Sequence, residues 1–245
     1  MSDKNYDVVA VGAHPDDLEI ACGATLAKLA SQGYRVGIID LTDGEPTPRC
    51  DDPAIRRAEA QAAADVLGVS RKILDLPNRR LFDSFESRVA LATEFRRMRP
   101  RLVIGFGQKT PMASPDHYQA MLITDAAVFY SRLTKWDDKF ESLPPHIISA
   151  QIYFHLGHQS VPQAEFGTNV TVDVSSFMQK KIESILCYKT QFPPEKRGII
   201  QRVEGQATAA GAAAGFAAGE IFSTTRSLGC QDLLRTVLPE NLSAN

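Results

Sequence analysis

Residues 14–19 of the chain read His-Pro-Asp-Asp-Leu-Glu, so one imidazole and three carboxylates occupy six consecutive positions. His14 and Asp17 are three residues apart across a turn that Pro15 stiffens, and both side chains can point at one ion. A neutral imidazole and a carboxylate suit zinc better than they suit magnesium or calcium. Asp16 then lies beside the metal, where its carboxylate could take a proton from a water molecule acidified by the zinc. In the alternative interpretation, His14 and Asp17 only cap the helix that follows.

A second motif, Ser-Pro-Asp-His at 114–117, offers a further ligand. A catalytic zinc normally takes three protein ligands and keeps one position open, so we predict that His117 is the third ligand. Asp116 has two interpretations, because its carboxylate could orient the imidazole of His117 or could cap the helix that begins there. Taken alone, His117 would more often be a surface or capping residue. The presence of the first motif is what favours its interpretation as a metal ligand.

Both motifs lie where an apolar, strand-like run passes into a helical pattern. Predicted strands near 6–13, 34–41, 72–76 and 102–106 alternate with predicted helices near 18–32, 54–67, 84–99 and 116–130. This regular alternation predicts an α/β fold with a parallel sheet and right-handed crossovers. Because ligands in such folds bind at the carboxyl ends of the strands, we expect both motifs at one sheet edge. Strands near 147–154 and 169–174, and a helix near 175–190, predict a mixed or smaller sheet toward the C-terminus.

Composition indicates a soluble globular enzyme, because 245 residues with 44% hydrophobic and 23% charged side chains can bury a substantial core. The net charge of −2 and the lack of a basic run interleaved with aromatics argue against nucleic-acid binding. No run of about 18 apolar residues predicts a membrane span, and the first residues lack the apolar core of a signal peptide. Four widely spaced cysteines suit a reducing compartment. We therefore expect a cytoplasmic protein.

Together these motifs resemble those of the LmbE/PIG-L-like zinc-dependent de-N-acetylases, a family that includes deacetylases of the bacillithiol and mycothiol pathways. The resemblance rests first on Ala-His-Pro-Asp-Asp-Leu-Glu at 13–19 and on Pro-Asp-His at 115–117. Supporting similarities are Thr-Asp-Gly-Glu at 42–45, Arg-Arg-Ala-Glu-Ala at 56–60, the segment 181–192 and Gly-Glu-Ile-Phe at 219–222. The similar segments are spread over most of the chain.

The resemblance implies one domain over 1–245 with a Rossmann-like, doubly wound, mostly parallel sheet. Its core would span about 5–135, and a smaller C-terminal α/β elaboration would span about 146–245. The implied reaction is hydrolysis of an acetamide on a small N-acetylglucosamine-type substrate. His14, Asp17 and His117 would bind one zinc ion per chain, or another divalent transition metal, and Asp16 would be the general base. Relatives often self-associate, so a homo-oligomer is a further expectation.

Ser114 departs from the family, which usually has His-Pro-Asp-His at this motif. In relatives the first histidine could stabilise the oxyanion or protonate the departing amine, whereas a serine hydroxyl can donate a hydrogen bond but carries no charge. Loss of one oxyanion donor typically costs ~10²–10³ in turnover. His155 and His158 follow a strand-like run and could supply the missing function. The alternative is that both are partly exposed loop residues.

Two further residues are candidates for substrate binding, and each has a structural alternative. By resemblance, the guanidinium of Arg56 would contact an anionic or hydroxylated part of the substrate. It could equally pair with Glu59 on a helix surface at i+3. Asp43 could reach a sugar hydroxyl or orient a metal ligand, but an Asp-Gly pair also forms turns without any substrate.

The function predicted from these residues is zinc-dependent removal of an acetyl group from an N-acetylated amino sugar. Two alternatives stay open. One is an amidase that cleaves a larger acyl group or a thiol-conjugate amide. The other, which Ser114 permits, is a metal-retaining sugar-binding protein with little turnover.

Overall fold

A seven-stranded sheet organises the chain, for which a computed structural model describes residues 5–156, 168–196, 198–229 and 231. The strand order is β3-β2-β1-β4-β5-β7-β6. The first five strands in this order are parallel, whereas β7 is antiparallel to both β5 and β6. The strands are β1 (Val8–Gly12), β2 (Val36–Asp40), β3 (Ser70–Ile73), β4 (Leu102–Phe106), β5 (Ala150–Phe154), β6 (Thr168–Asp173) and β7 (Gly219–Thr224).

Four of the described helices connect the parallel strands, and the other two lie between β6 and β7. The helices are α1 (Asp17–Ser31), α2 (Pro53–Leu67), α3 (Phe85–Met98), α4 (Asp116–Tyr130), α5 (Met178–Leu186) and α6 (Gly198–Ala212). Helices α1 and α2 pack against α5, while α3 packs against α4. Because right-handed crossovers run from β1 in both directions, these two groups lie on opposite faces of the sheet. The strands β1 and β2 are consequently buried along their whole length.

The predicted mostly parallel α/β fold is confirmed, with element boundaries that differ by a few residues from those expected. The pairing of β1 with β4 is the feature that matters for the site, because it makes the ends of these two strands neighbours. Loops after β1 and after β4 carry the two sequence motifs. Among the described residues, the helices are all too short or too polar to span a bilayer.

The alanine- and glycine-rich stretch 207–219 is divided between a helix and a strand. Helix α6 ends at Ala212, and Gly219 begins β7. The reason is a close approach of two backbones, since a Cβ atom on Gly211 would lie 2.6 Å from the carbonyl carbon of Ala218. The chain therefore turns back on itself and adds an antiparallel strand, β7, that the sequence patterns did not predict.

Candidate active site

His14 and Asp17 are placed by the turn between β1 and α1. Asp17 Oδ2 accepts hydrogen bonds of 2.9 Å from the backbone N–H groups of both Ala13 and His14. These bonds reach back to the turn and not forward to the first turn of the helix, where a capping side chain would bond. The interpretation of Asp17 as a helix cap is therefore wrong, and its carboxylate fixes the position of His14 instead.

His117 reaches the same place from the first turn of α4. Its imidazole stacks on Phe106 at the end of β4, with ring centroids 5.0 Å apart. The hydroxyl of Thr110 lies 2.8 Å from Nδ1 of His117, so this nitrogen is engaged. Nε2, on the other side of the ring, lies 3.2 Å from Asp17 Oδ1.

Ligand atoms from His14, Asp17 and His117 all lie within 4.8 Å of one another. The pairwise distances are 3.2 Å from Asp17 Oδ1 to His117 Nε2 and 3.6 Å from Asp17 Oδ2 to His14 Nδ1. Zinc–ligand bonds of 2.0–2.1 Å in a tetrahedral site would separate two ligand atoms by about 3.3 Å. The group therefore fits a metal site in both its chemistry and its spacing.

Asp116 contacts His14 and not His117, the partner in one of its two interpretations from the sequence. Its Oδ2 lies 3.2 Å from His14 Nε2 and accepts a hydrogen bond of 2.7 Å from the backbone N–H of Arg79. Asp116 does not cap α4, which has Pro115 at its N-cap and no side-chain cap. The contact to His14 arises because β1 and β4 are adjacent, so the start of α4 faces the loop after β1. A carboxylate that orients a ligating imidazole is a common feature of metal sites.

The electrostatics of the cluster favour a cation. Burial alone would raise the pKa of Asp17, but the neighbouring imidazoles of His117 and His14 outweigh burial and hold it well below its usual range. Burial likewise opposes charge on His14, yet hydrogen bonds to Asp116 and Asp17 raise its pKa to about 10. The two carboxylates therefore stabilise positive charge at this imidazole, and a bound metal ion would supply such a charge.

Asp16 adopts a backbone conformation that side chains rarely take, with φ of +110°. Such strain persists only where the surrounding structure enforces it and is concentrated at functional sites. Asp16 Oδ2 lies 2.9 Å from Nη2 of Arg56. Burial raises the pKa of Asp16 to about 6, although Arg56 opposes this rise. The turn thus presents a buried carboxylate whose proton affinity is close to that of a base working near neutral pH.

Arg56 is buried, with 2% of its surface exposed, so the predicted alternative of a surface pair with Glu59 is wrong. Glu59 instead accepts hydrogen bonds from the backbone and hydroxyl of Thr190. Nη2 of Arg56 donates to the carbonyl of Pro15 and to Asp16. Its Nε and Nη1 have no hydrogen-bond partner within the described part of the chain, and Nε lies 4.0 Å from Glu45 Oε1. The helix α2 therefore directs this guanidinium into the site.

A cavity of about 450 Å³ opens beside the cluster. Its wall includes His14, Asp16, Asp17, His117, Arg56 and Ser114. Ser114 Oγ accepts a weak hydrogen bond of 3.3 Å from the backbone N–H of Asp116. The structure thus brings seven of the residues predicted from the sequence to a single cavity, since His155 also lies in its wall.

Asp43 is not part of this cavity wall. Its Oδ1 accepts a hydrogen bond from the backbone N–H of Glu45, and its Oδ2 lies 3.6 Å from Arg57. These contacts are those of a turn, as the structural alternative for the Asp-Gly pair predicted.

His155 lies in the cavity wall at the end of β5, whereas His158 falls outside the described residues. Nε2 of His155 is 2.7 Å from Ser223 Oγ, and its Nδ1 is buried without a partner among the described residues. Burial lowers the pKa of His155. Burial thus favours the neutral form of this imidazole, and the replacement of the missing histidine by His155 stays a prediction.

Three buried ion pairs that sequence reasoning missed hold the site in place, and two of them share Arg71. Glu19, the last residue of the first motif, lies 2.5 Å from Arg71 Nη1, and Arg71 also binds Asp40 at the end of β2. Tyr188 donates a hydrogen bond of 2.9 Å to Glu19. The sequence did contain one sign of this ion pair. Glu19 is the third carboxylate of the first motif, and neither metal binding nor a role as base explained its presence.

The third ion pair, between Lys181 and Glu220, supports a break in α1. The helix is interrupted at Cys22, where φ is −142°. Glu220 accepts hydrogen bonds from the N–H groups of Ala24 and Thr25 at 3.2 and 2.7 Å. Lys181 Nζ lies 2.5 Å from Glu220 and 3.3 Å from the carbonyl of Ala21. The pair thus satisfies backbone groups that the break would leave without partners.

We expect Glu220→Gln to destabilise the protein by about 3–5 kcal/mol, because it leaves the Lys181 ammonium buried without a counter-charge. Urea unfolding measures this change in the free energy of unfolding. Glu183→Gln, the same chemical change on the exposed face of α5, should alter the stability by less than ~0.5 kcal/mol. Equal stability of the two variants would show that the Lys181–Glu220 pair does not support the break.

Comparisons with known proteins agree with the geometry. The family model described as PIG-L, GlcNAc-PI de-N-acetylase, matches residues 9–128. A diacetylchitobiose deacetylase from Thermococcus kodakarensis is 30% identical over 200 residues, which are 77% of this chain and 71% of the relative. A 4-oxalmesaconate hydratase from Pseudomonas putida is 26% identical over 204 residues, which are 78% of this chain and 76% of the relative. The crystal structure of the conserved protein TT1542 from Thermus thermophilus superposes with a TM-score of 0.79 at 28% identity, covering 92% of this chain and 97% of that one.

Proposed function

Since this chain belongs to the PIG-L family of de-N-acetylases, which are hydrolytic enzymes, we propose that it removes an acetyl group from an N-acetylglucosamine-type substrate with one zinc ion per chain. The observation that carries the proposal is the convergence of three metal-ligand atoms within 4.8 Å on a cavity that also contains Asp16. Family membership and geometry support the same chemistry.

His14 Nδ1, Asp17 and His117 Nε2 would hold the metal, since the opposite ring nitrogens are engaged by Asp116 and Thr110. Zinc bound there would polarise the acetyl carbonyl and lower the pKa of a water molecule beside it. Two imidazoles and one carboxylate form a donor set found in catalytic zinc sites. Another divalent transition metal would find the same donors.

Asp16 would act as the general base. Its carboxylate would accept a proton from the attacking water and return it to the nitrogen as the C–N bond breaks. The products are acetate and a free amine, so one water molecule is consumed in each turnover. Arg56 keeps the carboxylate in place through the contact at 2.9 Å, and its remaining N–H groups would donate to oxygens of the substrate.

An amine-release assay of the zinc-loaded protein tests this function against N-acetylated amino sugars. We expect equal amounts of acetate and amine, which also separates amide hydrolysis from the hydration that one relative's name describes. Release of a larger acyl group alone would favour the amidase alternative. Tight sugar binding with no amine released would favour a sugar-binding protein and contradict the proposal.

Ser114 would donate a hydrogen bond to the substrate from the cavity wall. We expect Ser114→Ala to lower kcat/KM by about 2–10-fold, the effect of one uncharged hydrogen bond. Ser31→Ala, at the exposed C-terminal end of α1, should leave kcat/KM unchanged. An unchanged kcat/KM in Ser114→Ala would remove this residue from the site.

We also propose a cytoplasmic location and self-association. The free thiols of Cys22, Cys50 and Cys187 support a reducing compartment. Light scattering of the purified protein would give the oligomeric state.

A further inference from the structure

Thr110 lies in the loop that joins β4 to α4, and this loop turns the threonine side chain inward. Of residues 107–114, which are all described, Thr110 alone is buried, with 8% of its surface exposed. The backbone N–H of Ala113 donates a hydrogen bond of 3.1 Å to the carbonyl of Thr110 and closes a turn. A polar side chain that a surface loop buries needs a hydrogen-bond partner in the interior. The hydroxyl of Thr110 has this partner in the imidazole of His117.

The imidazole of His117 has two orientations that its stacking on Phe106 allows equally. The two rings lie 5.0 Å apart and within 19° of parallel, so the stack fixes the plane of the imidazole. A half-turn about the Cβ–Cγ bond keeps this plane but exchanges Nδ1 with Cδ2 and Nε2 with Cε1. The hydroxyl of Thr110, 2.8 Å from Nδ1, distinguishes the two orientations, because a ring carbon cannot replace the nitrogen in this hydrogen bond. It thereby turns Nε2 toward Asp17 Oδ1, which lies 3.2 Å away.

A threonine hydroxyl suits this position because it can both donate and accept a hydrogen bond. A neutral imidazole carries its proton on one nitrogen only. With the proton on Nε2, the ring of His117 donates to Asp17, and Nδ1 accepts from the hydroxyl. When Nε2 instead offers its lone pair to a metal ion, the proton lies on Nδ1, which then donates to the same hydroxyl. Thr110 can therefore hold the ring both with and without a bound metal ion.

The position of Thr110 leaves the imidazole as the group on which its hydroxyl acts. Thr110 lies behind the ring of His117 and outside the cavity wall, so it does not reach a substrate. It does not cap α4 either, because the N-cap of that helix is Pro115 and no side chain caps it. The other imidazole of the cluster has a partner of a different kind, since Nε2 of His14 lies 3.2 Å from a carboxylate oxygen of Asp116.

We propose that Thr110 is a positioning residue that sets the affinity of this site for zinc, by holding Nε2 of His117 in the orientation that binds the metal. The inference rests on the metal site of the proposed function and adds a residue that is not itself a ligand. Without the hydroxyl, the flipped ring would lose no hydrogen bond at Nδ1. In the metal-bound form, the N–H of Nδ1 would also be buried without a partner, which is unfavourable.

Titration of the metal-free protein with zinc, in competition with a chelator of known affinity, tests the proposal. Thr110→Val replaces the hydroxyl by a methyl group of similar size, and we expect its Kd for zinc to rise about 10–100-fold. Thr110→Ser keeps the hydroxyl, so its Kd should stay within about threefold of that of the parent protein. Parent-like affinity in Thr110→Val, or an equal loss of affinity in both variants, would overturn the proposal.

Thr93→Val is the matched control, because it makes the same chemical change at a buried hydroxyl away from the site. Thr93 lies in α3, is 5% exposed, and donates a hydrogen bond of 2.7 Å to the carbonyl of Val89. Without zinc, the two valine variants should unfold at similar urea concentrations, whereas only Thr110→Val should bind zinc more weakly. An equal loss of zinc affinity in both would show a general effect of a lost hydroxyl and would also overturn the proposal.

Zinc binding is measured without a substrate, so the result is independent of turnover. If no amine is released in the hydrolysis assay while only Thr110→Val binds zinc more weakly, the proposed function fails and the role of Thr110 stands. If amine is released by the zinc-loaded parent protein while Thr110→Val binds zinc as tightly as the parent, the role of Thr110 fails alone.

Discussion

Asp16→Asn should lower kcat by about 10²–10⁴-fold, the usual contribution of a positioned general base. The amide of asparagine has nearly the shape of the carboxylate and still offers Arg56 an oxygen, but it cannot take a proton from water at neutral pH. Since Asp16 is not one of the three ligand residues, the variant should bind as much metal as the parent protein. Steady-state amine release and the metal content of the same preparations measure both effects.

Asp65→Asn is the matched control for this prediction. Asp65 lies on the exposed face of α2, where its carboxylate contacts Gln61, and its variant should keep full activity. Activity in Asp16→Asn within about fivefold of the parent protein would assign the base to another group. A loss of metal together with activity would instead make Asp16 a residue of the metal site.

His117→Ala should remove both the metal and the activity. The imidazole of His117 is one of three protein donors, and the cavity offers no second imidazole at its position beside Asp17 Oδ1 among the described residues. A zinc ion contributes several kcal/mol to transition-state stabilisation, so we expect kcat/KM to fall by at least about 10³-fold. Isothermal titration of the metal-free variant with zinc measures the accompanying loss of affinity.

His146→Ala serves as the control for a lost imidazole. His146 lies outside the cavity wall, and its Nε2 is 2.7 Å from the carbonyl of Pro100. This variant should bind one zinc ion per chain as the parent protein does. Full metal binding in His117→Ala would contradict the three-residue site, whereas equal losses in both variants would show a general effect of unfolding.

The residue types, and the order of strand, motif and helix along the chain, predicted most of the site. Each motif follows an apolar strand and precedes a helix, and in a parallel sheet this order places side chains at the carboxyl edge. His14 and His117 meet because β1 and β4 are neighbours in the sheet. This pairing arises because the chain returns from β3 through α3 to the other side of β1. The order of the strands along the chain does not give their order in the sheet. The sequence could therefore predict that the two imidazoles lie at the same sheet edge, but not how far apart they are.

Contacts between distant segments explain what the sequence did not predict. Asp116 binds His14 across 102 residues of sequence, and Arg71 binds Glu19 across 52. A buried arginine such as Arg71 has no local signature, because its charge is neutralised by residues that only the fold brings near. Asp43 shows the reverse case, since its Asp-Gly sequence fits a turn and the turn accounts for its contacts.

The position of the metal tests the central claim most directly, through anomalous diffraction at the zinc edge from crystals of the zinc-loaded protein. We expect one peak per chain, bonded to His14 Nδ1, His117 Nε2 and the carboxylate of Asp17 at about 2.0–2.2 Å. Asp116 should remain hydrogen-bonded to His14 Nε2, as it is here at 3.2 Å. A metal ion bound by other residues would contradict the assignment of His14, Asp17 and His117 as ligands. So would crystals of catalytically active protein that hold no metal between these three side chains.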